Sequence, residues 1–487
     1  MTHIPSGEIH FHPHSFFDPG MRLFEWNGQI YRGITSERAS FIKELFENGM
    51  IQSLIQERLL IDSELTPLAV DGYEMVVHHR RIPFASYPNE WCSAMLKDGA
   101  LVIIDLAIEL AHHGLTLGDA HPWNLLFDLD VGRPVFVDLG SIGPLADSVW
   151  PVYDEFCRFC LYPLILMAHG EDQIARLLMC VDSGVMESDI SKLTGDTVLP
   201  GLRPRRSLIF GLKSIVRQHV APSHRAWLKE KLSAMKSLSR RQLQDRKSPS
   251  DPLEEKRQKS HLDFLIKIRR EVESVSLPHT KPKSLSRDQT SHLSLTDQEG
   301  WTAKQRSLHK MFTDLKPSSV LDIGSGTGWY SKVAALSGIR VVSWDIDPMC
   351  TTQLYLDARD MGLPILPLIM DFTKPTPSRG LASHWAIAAT DRFQCDMVIV
   401  LALVHELVHK KHLNFEQIVG GLAVLSKRWL VLEFIPPEDP EVRLLHSPGI
   451  SWYTLDNLLS AVNKHFSTVR IIPSYPEPRL LLLCEKV

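Results

Sequence analysis

A glycine-rich turn between residues 320 and 331 carries the clearest chemical pattern in this chain. Three glycines, Gly324, Gly326 and Gly328, follow Asp322 at every second position, directly after a short apolar run. The pattern predicts a buried strand that turns sharply into a helix, because glycine allows the open backbone angles and the close ligand approach that such a turn requires. The first N–H groups of that helix point into the turn. We therefore expect a nucleotide-type pocket here.

The spacing of the glycines separates three kinds of nucleotide site. A dinucleotide-binding turn reads G-x-G-x-x-G, whereas Trp329 stands in place of the third glycine here. A phosphate-binding P-loop needs a lysine directly after its last glycine, and this chain has none there. The next apolar run ends in Asp345, and an acidic residue about 20 residues past the glycines can bind both ribose hydroxyls. The order D-x-G-x-G-x-G resembles motif I of class I S-adenosylmethionine (SAM) methyltransferases.

This resemblance implies roles for the residues of the turn. Gly324, Ser325 and Gly326 would pass beneath the methionine part of SAM, and Gly328 would begin the following helix. Asp322 would order the glycine turn or meet the amino group of SAM.

The resemblance also implies an adenosine side of the pocket. Asp345 would accept hydrogen bonds from the ribose, and Ile346 would pack on the adenine. Asp371, at the end of the third strand, would receive the adenine amino group, with Phe372 beside it. A helix N-cap is the alternative role for Asp371.

The chain after residue 319 alternates strand-like and helical runs, which predicts an α/β fold. The five predicted parallel strands are Val320–Ile323, Arg340–Trp344, Ile365–Met370, Met397–Leu403 and Trp429–Phe434. Near-continuous apolar strands with helices between them indicate a parallel sheet covered on both faces. The last two runs, Thr468–Ile472 and Arg479–Cys484, are joined by a short link that permits only an antiparallel hairpin. Residues 300–487 thus resemble the seven-stranded, Rossmann-like sheet of class I methyltransferases.

Several segments carry a closer resemblance. They are Leu321–Ser331, Ala402–His405, Leu432–Pro440, Trp452–Tyr453 and Arg479–Lys486. Together they resemble the rhizobial nodulation methyltransferases of the NoeA type. The resemblance implies SAM-dependent methyl transfer to an acceptor that the sequence does not identify, and the nodulation role itself is not carried over.

The acceptor is expected at the carboxyl ends of the fourth and fifth strands, where open α/β sheets place their ligands. This position indicates His405, Glu406, Glu433 and, from the carboxy-terminal segment, Tyr453 as candidate catalytic residues. Alignment of nucleophile and methyl carbon supplies much of the rate of such a displacement. A hydroxyl or amine acceptor must also lose a proton, and a histidine is suited to accept it near neutral pH. His405 is the predicted base; the alternative is a histidine that only shapes the pocket.

A competing pattern begins at the same residue. The segment His405–His409 matches H-E-x-x-H, in which two histidines on one helix face bind Zn²⁺ and the glutamate, here Glu406, acts as base. His412 would be a third ligand. The motif directly follows an apolar strand, where the methyltransferase interpretation needs a strand-to-loop junction. We therefore predict no metal cofactor in this half of the chain.

The amino-terminal half carries a second pattern. Asp119 and Asn124 lie five residues apart, and Asp138 follows at a strand end. A kinase needs a base Asp, a magnesium-binding Asn and a second magnesium-binding Asp in this order. The segment resembles the catalytic loop of aminoglycoside- and choline-kinase-like folds. A helix predicted over Ala100–His113 precedes it, and the dipeptides Asn27-Gly28 and Asp71-Gly72 predict hairpins upstream.

The kinase pattern is incomplete. No glycine-rich loop precedes the first hairpin, Arg32 stands where the phosphate-binding lysine is expected, and Leu117 replaces the histidine two residues before Asp119. A degenerate module that serves as a scaffold or holds the substrate is therefore predicted. The alternative is an active kinase, which would require Mg-ATP as cofactor.

Length and composition set the remaining expectations. The 487 residues have room for two or three domains, which we predict as residues 1–235 (kinase-like), 236–299 (a linker and connecting helix) and 300–487 (methyltransferase). The net charge of −4 does not indicate a nucleic-acid-binding protein, and we identify no segment with the pattern of a signal peptide or a membrane span. Seven scattered cysteines favour reduced thiols in the cytoplasm. The sequence leaves the oligomeric state open.

Three functional hypotheses follow from these patterns. The first is a SAM-dependent methyltransferase that acts on a small-molecule or saccharide-type acceptor. The second is a bifunctional kinase–methyltransferase that phosphorylates and methylates one acceptor. The third is a non-enzymatic pseudokinase scaffold with a SAM-sensing domain.

Overall fold

The computed structural model describes residues 2–12, 15, 18, 20–146, 150–195, 252–277, 294–445 and 450–486. The boundary predicted at residue 235 and parts of the linker predicted over 236–299 lie outside the described residues. Among the described residues, no helix combines the length and the apolar character that crossing a bilayer requires.

The amino-terminal part begins with a small antiparallel sheet of strand order β2-β3-β4-β7-β5. Its first elements are β1 (Thr2–His3), β2 (His10–Phe11), β3 (Met21–Trp26), β4 (Gln29–Ile34), α1 (Ser36–Glu47), α2 (Met50–Gln56), β5 (Ser63–Leu65), β6 (Leu68–Ala69) and β7 (Met75–His79). Asn27 and Gly28 form the predicted two-residue hairpin between β3 and β4, both with positive φ.

The prediction of a hairpin at Asp71-Gly72 was only partly right. The strands on either side of this dipeptide, β6 and β7, do not pair with each other: β6 pairs with β1, and β7 pairs with β4 and β5. Asp71 and Gly72 instead lie in the wider loop that connects the antiparallel strands β5 and β7. The physical reason is that β6 is only two residues long and finds its partner at the chain start.

A long buried helix, α3, organises the rest of this half. The elements are α3 (Ser93–His112), β8 (Leu115–Leu117), β9 (Leu125–Asp128), β10 (Arg133–Phe136), β11 (Ile142–Pro144), α4 (Tyr153–Phe156), a π-helical turn (Cys157–Leu161), α5 (Tyr162–Ala168), α6 (Asp172–Leu178), α7 (Glu187–Thr194) and α8 (Pro252–Ser274). The connecting helix α8 lies along α3, where its buried side chains Leu265, Ile268 and Val272 pack. Arg269 adds an ion pair to Asp105 at 2.6 Å.

The carboxy-terminal part contains the predicted seven-stranded sheet. Its elements are α9 (Ala303–Leu315), β12 (Ser319–Ile323), α10 (Trp329–Leu336), β13 (Arg340–Asp345), α11 (Pro348–Met361), β14 (Ile365–Ile369), α12 (Ala389–Arg392), β15 (Cys395–Val400), α13 (Val404–His409), α14 (Phe415–Leu425), β16 (Ser426–Phe434), α15 (Pro440–Leu445), α16 (Leu455–Val462), β17 (Thr468–Pro473) and β18 (Leu480–Glu485).

The strand order β14-β13-β12-β15-β16-β18-β17 confirms the predicted fold class. Strands β12 to β16 are parallel, and β18 runs antiparallel to both β16 and β17. The strand of this sheet that comes first in the sequence, β12, lies in the middle of the five parallel strands, so that the order reverses on either side of it. A ligand crevice forms at the carboxyl ends of the strands at such a reversal.

The two halves share one apolar core and are joined by polar contacts. Arg392, at the end of α12, pairs with Glu90 at 2.5 Å, and both side chains are buried. Tyr355 on α11 donates a hydrogen bond to Asp98 on α3 at 2.6 Å. Buried apolar residues of both halves belong to the same contiguous cluster. The kinase-like region therefore packs directly against the methyltransferase-like sheet.

Candidate functional site

The glycine turn leaves the carboxyl end of β12 as predicted. Gly324, Gly326 and Gly328 have φ values of 76°, 56° and 75°, which an L-residue adopts only with strain. A Cβ at Gly328 would clash with Leu354 on α11, whereas a Cβ at Gly326 would meet nothing within 4 Å. Gly328 is thus required for packing beneath the turn, and Gly326 borders open space above it.

Two aspartates fix the shape of this turn. Asp345, at the end of β13, accepts the Gly326 N–H at 2.7 Å and the Asp347 N–H at 2.8 Å. Burial raises the pKa of the Asp345 carboxyl. Asp322 is only 3% exposed and accepts the Ser331 hydroxyl at 2.6 Å. Burial raises the pKa of Asp322 to about 7. Of the two roles expected for Asp322, this position supports the ordering of the turn.

The residues expected around the adenine lie at neighbouring strand ends. Ile346, directly after β13, is 65% exposed, so its apolar surface is open to a ligand. Asp371, after β14, accepts the Thr373 N–H at 2.8 Å and the Thr373 hydroxyl at 2.7 Å. No helix begins at Asp371, so the alternative N-cap role does not apply. Phe372 lies against Gly421 of α14.

The chain after β15 bends before it reaches His405. The strand ends at Val400, three residues before the predicted end at Leu403, because Ala402 has a positive φ of 50° and breaks the extended backbone. Leu403 packs over Gly324, at 3.3 Å from the position of a Cβ there. His405 follows within the first turn of α13. The segment that carries the predicted base therefore contacts the predicted SAM turn through Leu403.

His405 is buried, and its two ring nitrogens have different surroundings. Its imidazole is 3% exposed, and Nε2 lies 3.7 Å from the Glu441 carboxylate. Its Nδ1 is buried without a hydrogen-bond partner among the described residues. Burial lowers the pKa of His405, so the neutral imidazole dominates near neutral pH. A neutral imidazole with an unengaged nitrogen can accept a proton.

Glu433 has a different environment from the one expected of a catalytic carboxylate. It is fully buried and accepts hydrogen bonds from Lys304 at 2.6 Å, Ser474 at 2.7 Å and the Ala402 N–H at 2.9 Å. These three contacts engage both carboxylate oxygens. Glu433 thereby holds the bent backbone at Ala402, which leads to His405. Sequence reasoning missed Lys304 and Ser474, because they come to this carboxylate from distant parts of the chain.

The other two acceptor-side candidates are also engaged. Tyr453 is buried and donates its hydroxyl to the Ile435 carbonyl at 2.9 Å, and burial raises its pKa. Glu406 pairs with Lys410 one helical turn away at 2.6 Å. The polar groups of both residues are therefore engaged within the protein.

The H-E-x-x-H residues occupy a helix of six residues. His409 packs its ring against Tyr453 at a centroid distance of 5.1 Å, and His412 lies beyond the end of α13. Within the described ranges, His405, Glu406 and His409 do not form a group of three ligand atoms within 4.8 Å of one another. The geometry of this segment therefore gives no support to the zinc-protease alternative.

The kinase-like residues lie together on the loops after β8 and β10. Asp119 follows β8, Asn124 ends a short 3₁₀ turn, and Asp138 follows β10. Arg32 on β4 pairs with Asp138 at 2.9 Å, and Ser141 donates its hydroxyl to the other oxygen of that carboxylate at 2.5 Å. The carboxylate that would bind magnesium in a kinase is thus occupied by a guanidinium group.

The strand order, the glycine turn and the acidic end of β13 define the carboxy-terminal half as a class I methyltransferase fold, and a kinase-like region precedes it. No family model matches the chain. The chain is 25% identical over 441 residues to nodulation protein NoeA of Rhizobium meliloti (strain 1021), which is 88% of this chain and 86% of NoeA. This match confirms the resemblance to the NoeA type along nearly the whole sequence.

Solved structures resemble the chain only weakly. The bifunctional kinase–methyltransferase WbdD is 17% identical with a TM-score of 0.28, over 39% of this chain and 40% of WbdD. Magnesium protoporphyrin IX methyltransferase (ChlM) from Synechocystis PCC 6803, with bound SAH, is 16% identical with a TM-score of 0.27, over 37% of this chain and 81% of ChlM. The chain thus matches less than half of the length of WbdD. The fold assignment rests on the strand order of this chain itself.

Proposed function

We propose that this protein is a SAM-dependent methyltransferase for a small-molecule or saccharide-type acceptor, and that its kinase-like half is a non-catalytic scaffold that helps to hold the acceptor. The observation that carries the proposal is the position of the glycine turn. It lies at the carboxyl end of the central strand, where Asp345 accepts the Gly326 N–H and Leu403, two residues before His405, packs over Gly324.

The residues around the turn fit SAM. Gly326 borders open space, Ile346 exposes an apolar surface for a planar ring, and Asp345, which already accepts the Gly326 and Asp347 N–H groups, would also accept ribose hydroxyls. These features support SAM over a dinucleotide, for which the third glycine is missing. When bound, SAM supplies a methyl group on a sulfonium, which is activated for displacement.

His405 then has a defined part in the reaction. Its neutral imidazole would accept the proton of an acceptor hydroxyl or amine at Nδ1, the nitrogen without a partner among the described residues. Because this nitrogen is buried, the acceptor reaches it only if the side chains around His405 move apart. Glu441, 3.7 Å from Nε2, stabilises the imidazolium that forms. Glu433 holds the backbone bend before His405 and does not exchange protons with the acceptor.

The Arg32–Asp138 pair supports the scaffold role of the kinase-like half. A magnesium ion at Asp138 would have to displace the guanidinium group at 2.9 Å. The contact of this half with α11 and α12 supports a role in holding the acceptor near the methyltransferase edge. The seven free cysteines support a reducing compartment, and we place the protein in the cytoplasm.

Methyl transfer from radiolabelled SAM into fractionated small-molecule extracts tests the proposal. The variant His405→Ala should lose about 10²- to 10⁴-fold in turnover, the usual contribution of a general base, while its affinity for S-adenosylhomocysteine (SAH) stays unchanged. His412→Asn is a matched control, because His412 is exposed and asparagine tolerates its positive φ of 57°. Unchanged turnover in His405→Ala would remove this residue from the chemistry.

Separate thermal melts with SAH and with Mg-ATP test the role of the kinase-like half. A ligand that binds only the folded protein raises the melting midpoint. We expect a shift with SAH alone. A shift with Mg-ATP, together with phosphorylation of an acceptor, would support the bifunctional enzyme instead. Binding of SAH without any methyl transfer would support the non-enzymatic sensor.

A further inference from the structure

Three metal-ligand side chains converge beside the kinase-like loop, outside the methyltransferase site. They are Asp119, His121 and Glu155, and their ligand atoms lie within 4.8 Å of one another. Within the described ranges, no other group of three His, Cys, Asp or Glu side chains meets this distance. All three are half-buried, so the cluster is neither sealed in the core nor fully solvated.

The loop and an irregular helix hold these side chains in place. The Ala120 N–H donates to Glu155 at 3.3 Å, and His121 Nε2 lies 3.4 Å from the Asp119 carboxylate. Glu155 belongs to α4, which runs directly into the π-helical turn Cys157–Leu161. Single π-helical turns inside a helix occur often at functional sites, because they shift the direction of nearby side chains.

Among the described residues, neither Asp119 nor Glu155 forms an ion pair with a lysine or arginine side chain. The nearest guanidinium, Arg158, is directed to Asp154 at 3.1 Å and to the Ser183 carbonyl at 3.0 Å. The Nδ1 atom of His121 is buried and has no hydrogen-bond partner among the described residues. A cation held by the two carboxylates and one nitrogen of the imidazole would neutralise the carboxylates and give that nitrogen a partner.

We propose that Asp119, His121 and Glu155 bind a divalent transition-metal ion, with Zn²⁺ or Mn²⁺ as the fitting ions. One imidazole and two carboxylates are ligands that both ions accept. Three protein ligands leave coordination positions open for water or an anionic group of a small molecule. Mg²⁺ fits less well, because it binds through oxygen ligands and keeps several waters.

This site differs from the magnesium site of a kinase. That site would use Asn124 and Asp138, and the carboxylate of Asp138 is engaged by Arg32 and Ser141. The proposed site uses Asp119, the residue in the place of the kinase base, together with two residues outside the kinase pattern. The kinase-like half would thus retain an ion-binding function where phosphotransfer is lost.

The proposal is tested by the zinc affinity of the full chain. Bound metal is first removed, and the affinity is then measured by competition with a chromophoric chelator. His121→Gln and Glu155→Gln should each weaken Zn²⁺ binding by more than about tenfold, since even outer partners of metal ligands contribute about 10- to 100-fold. Glu155→Gln keeps the size of the side chain and its acceptor for the Ala120 N–H, which protects the fold. His113→Gln is the matched control, because this exposed histidine directly follows α3 and pairs with Glu109 of that helix.

SAH binding, one further variant and one competing ion separate the alternatives. SAH affinity should be unchanged in His121→Gln, which shows that the variant is folded and that the metal site is independent of the proposed methyltransferase site. Zn²⁺ bound equally well by wild type, His121→Gln and Glu155→Gln would overturn the proposal. Zinc lost in His409→Ala but retained in His121→Gln would also overturn it and move the ion to the H-E-x-x-H segment. Displacement of Zn²⁺ by an equal concentration of Mg²⁺ would contradict imidazole ligation.

Discussion

Replacing Glu433 by Gln distinguishes a carboxylate that holds the structure from one that takes part in the reaction. The side chain of Glu433 is completely buried, and that of its partner Lys304 is 10% exposed. Glutamine keeps an acceptor for the Ala402 N–H but removes the charge that neutralises the lysine. Lys304 is then left as a buried, unpaired ammonium group.

The expected loss of stability follows from that unpaired charge. Removing one partner of a buried ion pair costs about 3–5 kcal/mol, whereas replacing both partners by uncharged groups is often nearly neutral. Glu433→Gln should therefore lower the free energy of unfolding by about 3–5 kcal/mol. The double variant Lys304→Met/Glu433→Gln should recover more than half of this loss.

Urea denaturation, monitored by tryptophan fluorescence, measures the free energy of unfolding of the single and the double variant. The values in water are compared only for variants whose dependence on urea concentration is unchanged. If Glu433 only positions the backbone, the double variant also regains methyl transfer along with stability. A double variant that is stable but still inactive would show that Glu433 acts in the reaction. Equal losses in the single and double variants would refute the ion-pair argument.

Three further predictions concern the turn and the junction between the halves. Gly328→Ala should destabilise the protein more than Gly326→Ala, because only the Cβ at Gly328 meets Leu354; equal denaturation midpoints would contradict this. Burial raises the pKa of Asp322 from 3.8 to about 7, so between these pH values the folded state keeps a proton that the unfolded chain releases. Stability should therefore fall as the pH rises from about 4 to about 7. Asp322→Asn should flatten that fall in melts taken at each pH, and an unchanged slope would reject the assignment. Arg392→Met should cost about 3–5 kcal/mol by leaving Glu90 unpaired, and adding Glu90→Gln should restore most of it.

The seven-stranded sheet could be predicted from sequence because its central strands are buried on both faces. Such strands appear as short apolar runs, and the glycine turn marks the end of the first one. The fourth strand was predicted three residues too long, since Leu401, Ala402 and Leu403 are also apolar. Their role is different: Ala402 bends the chain, and Leu403 packs over Gly324. Apolar character alone does not distinguish these two roles.

Helix α3 begins seven residues before its predicted start at Ala100, and a glycine within it explains the error. Gly99 lowers helix propensity, but a Cβ there would lie 3.0 Å from Leu125, so close packing requires glycine. The engagement of Glu433 could not be predicted either. Lys304 reaches it from 129 residues away, and such contacts appear in no local pattern. The residue types at the site were therefore easier to predict than the partners that decide what each one does.

Calorimetric titration of the full chain with SAH tests the central claim most directly. We expect one SAH per chain. Asp345→Asn should weaken SAH binding at least about tenfold, which is about 1.4 kcal/mol, because hydrogen bonds to a charged acceptor are worth about 1.5–3 kcal/mol. Asp314→Asn, an exposed acidic residue on α9, is the matched control. Failure of the wild-type protein to bind SAH, or binding that Asp345→Asn leaves unchanged, would contradict the assignment of the glycine turn as the SAM site.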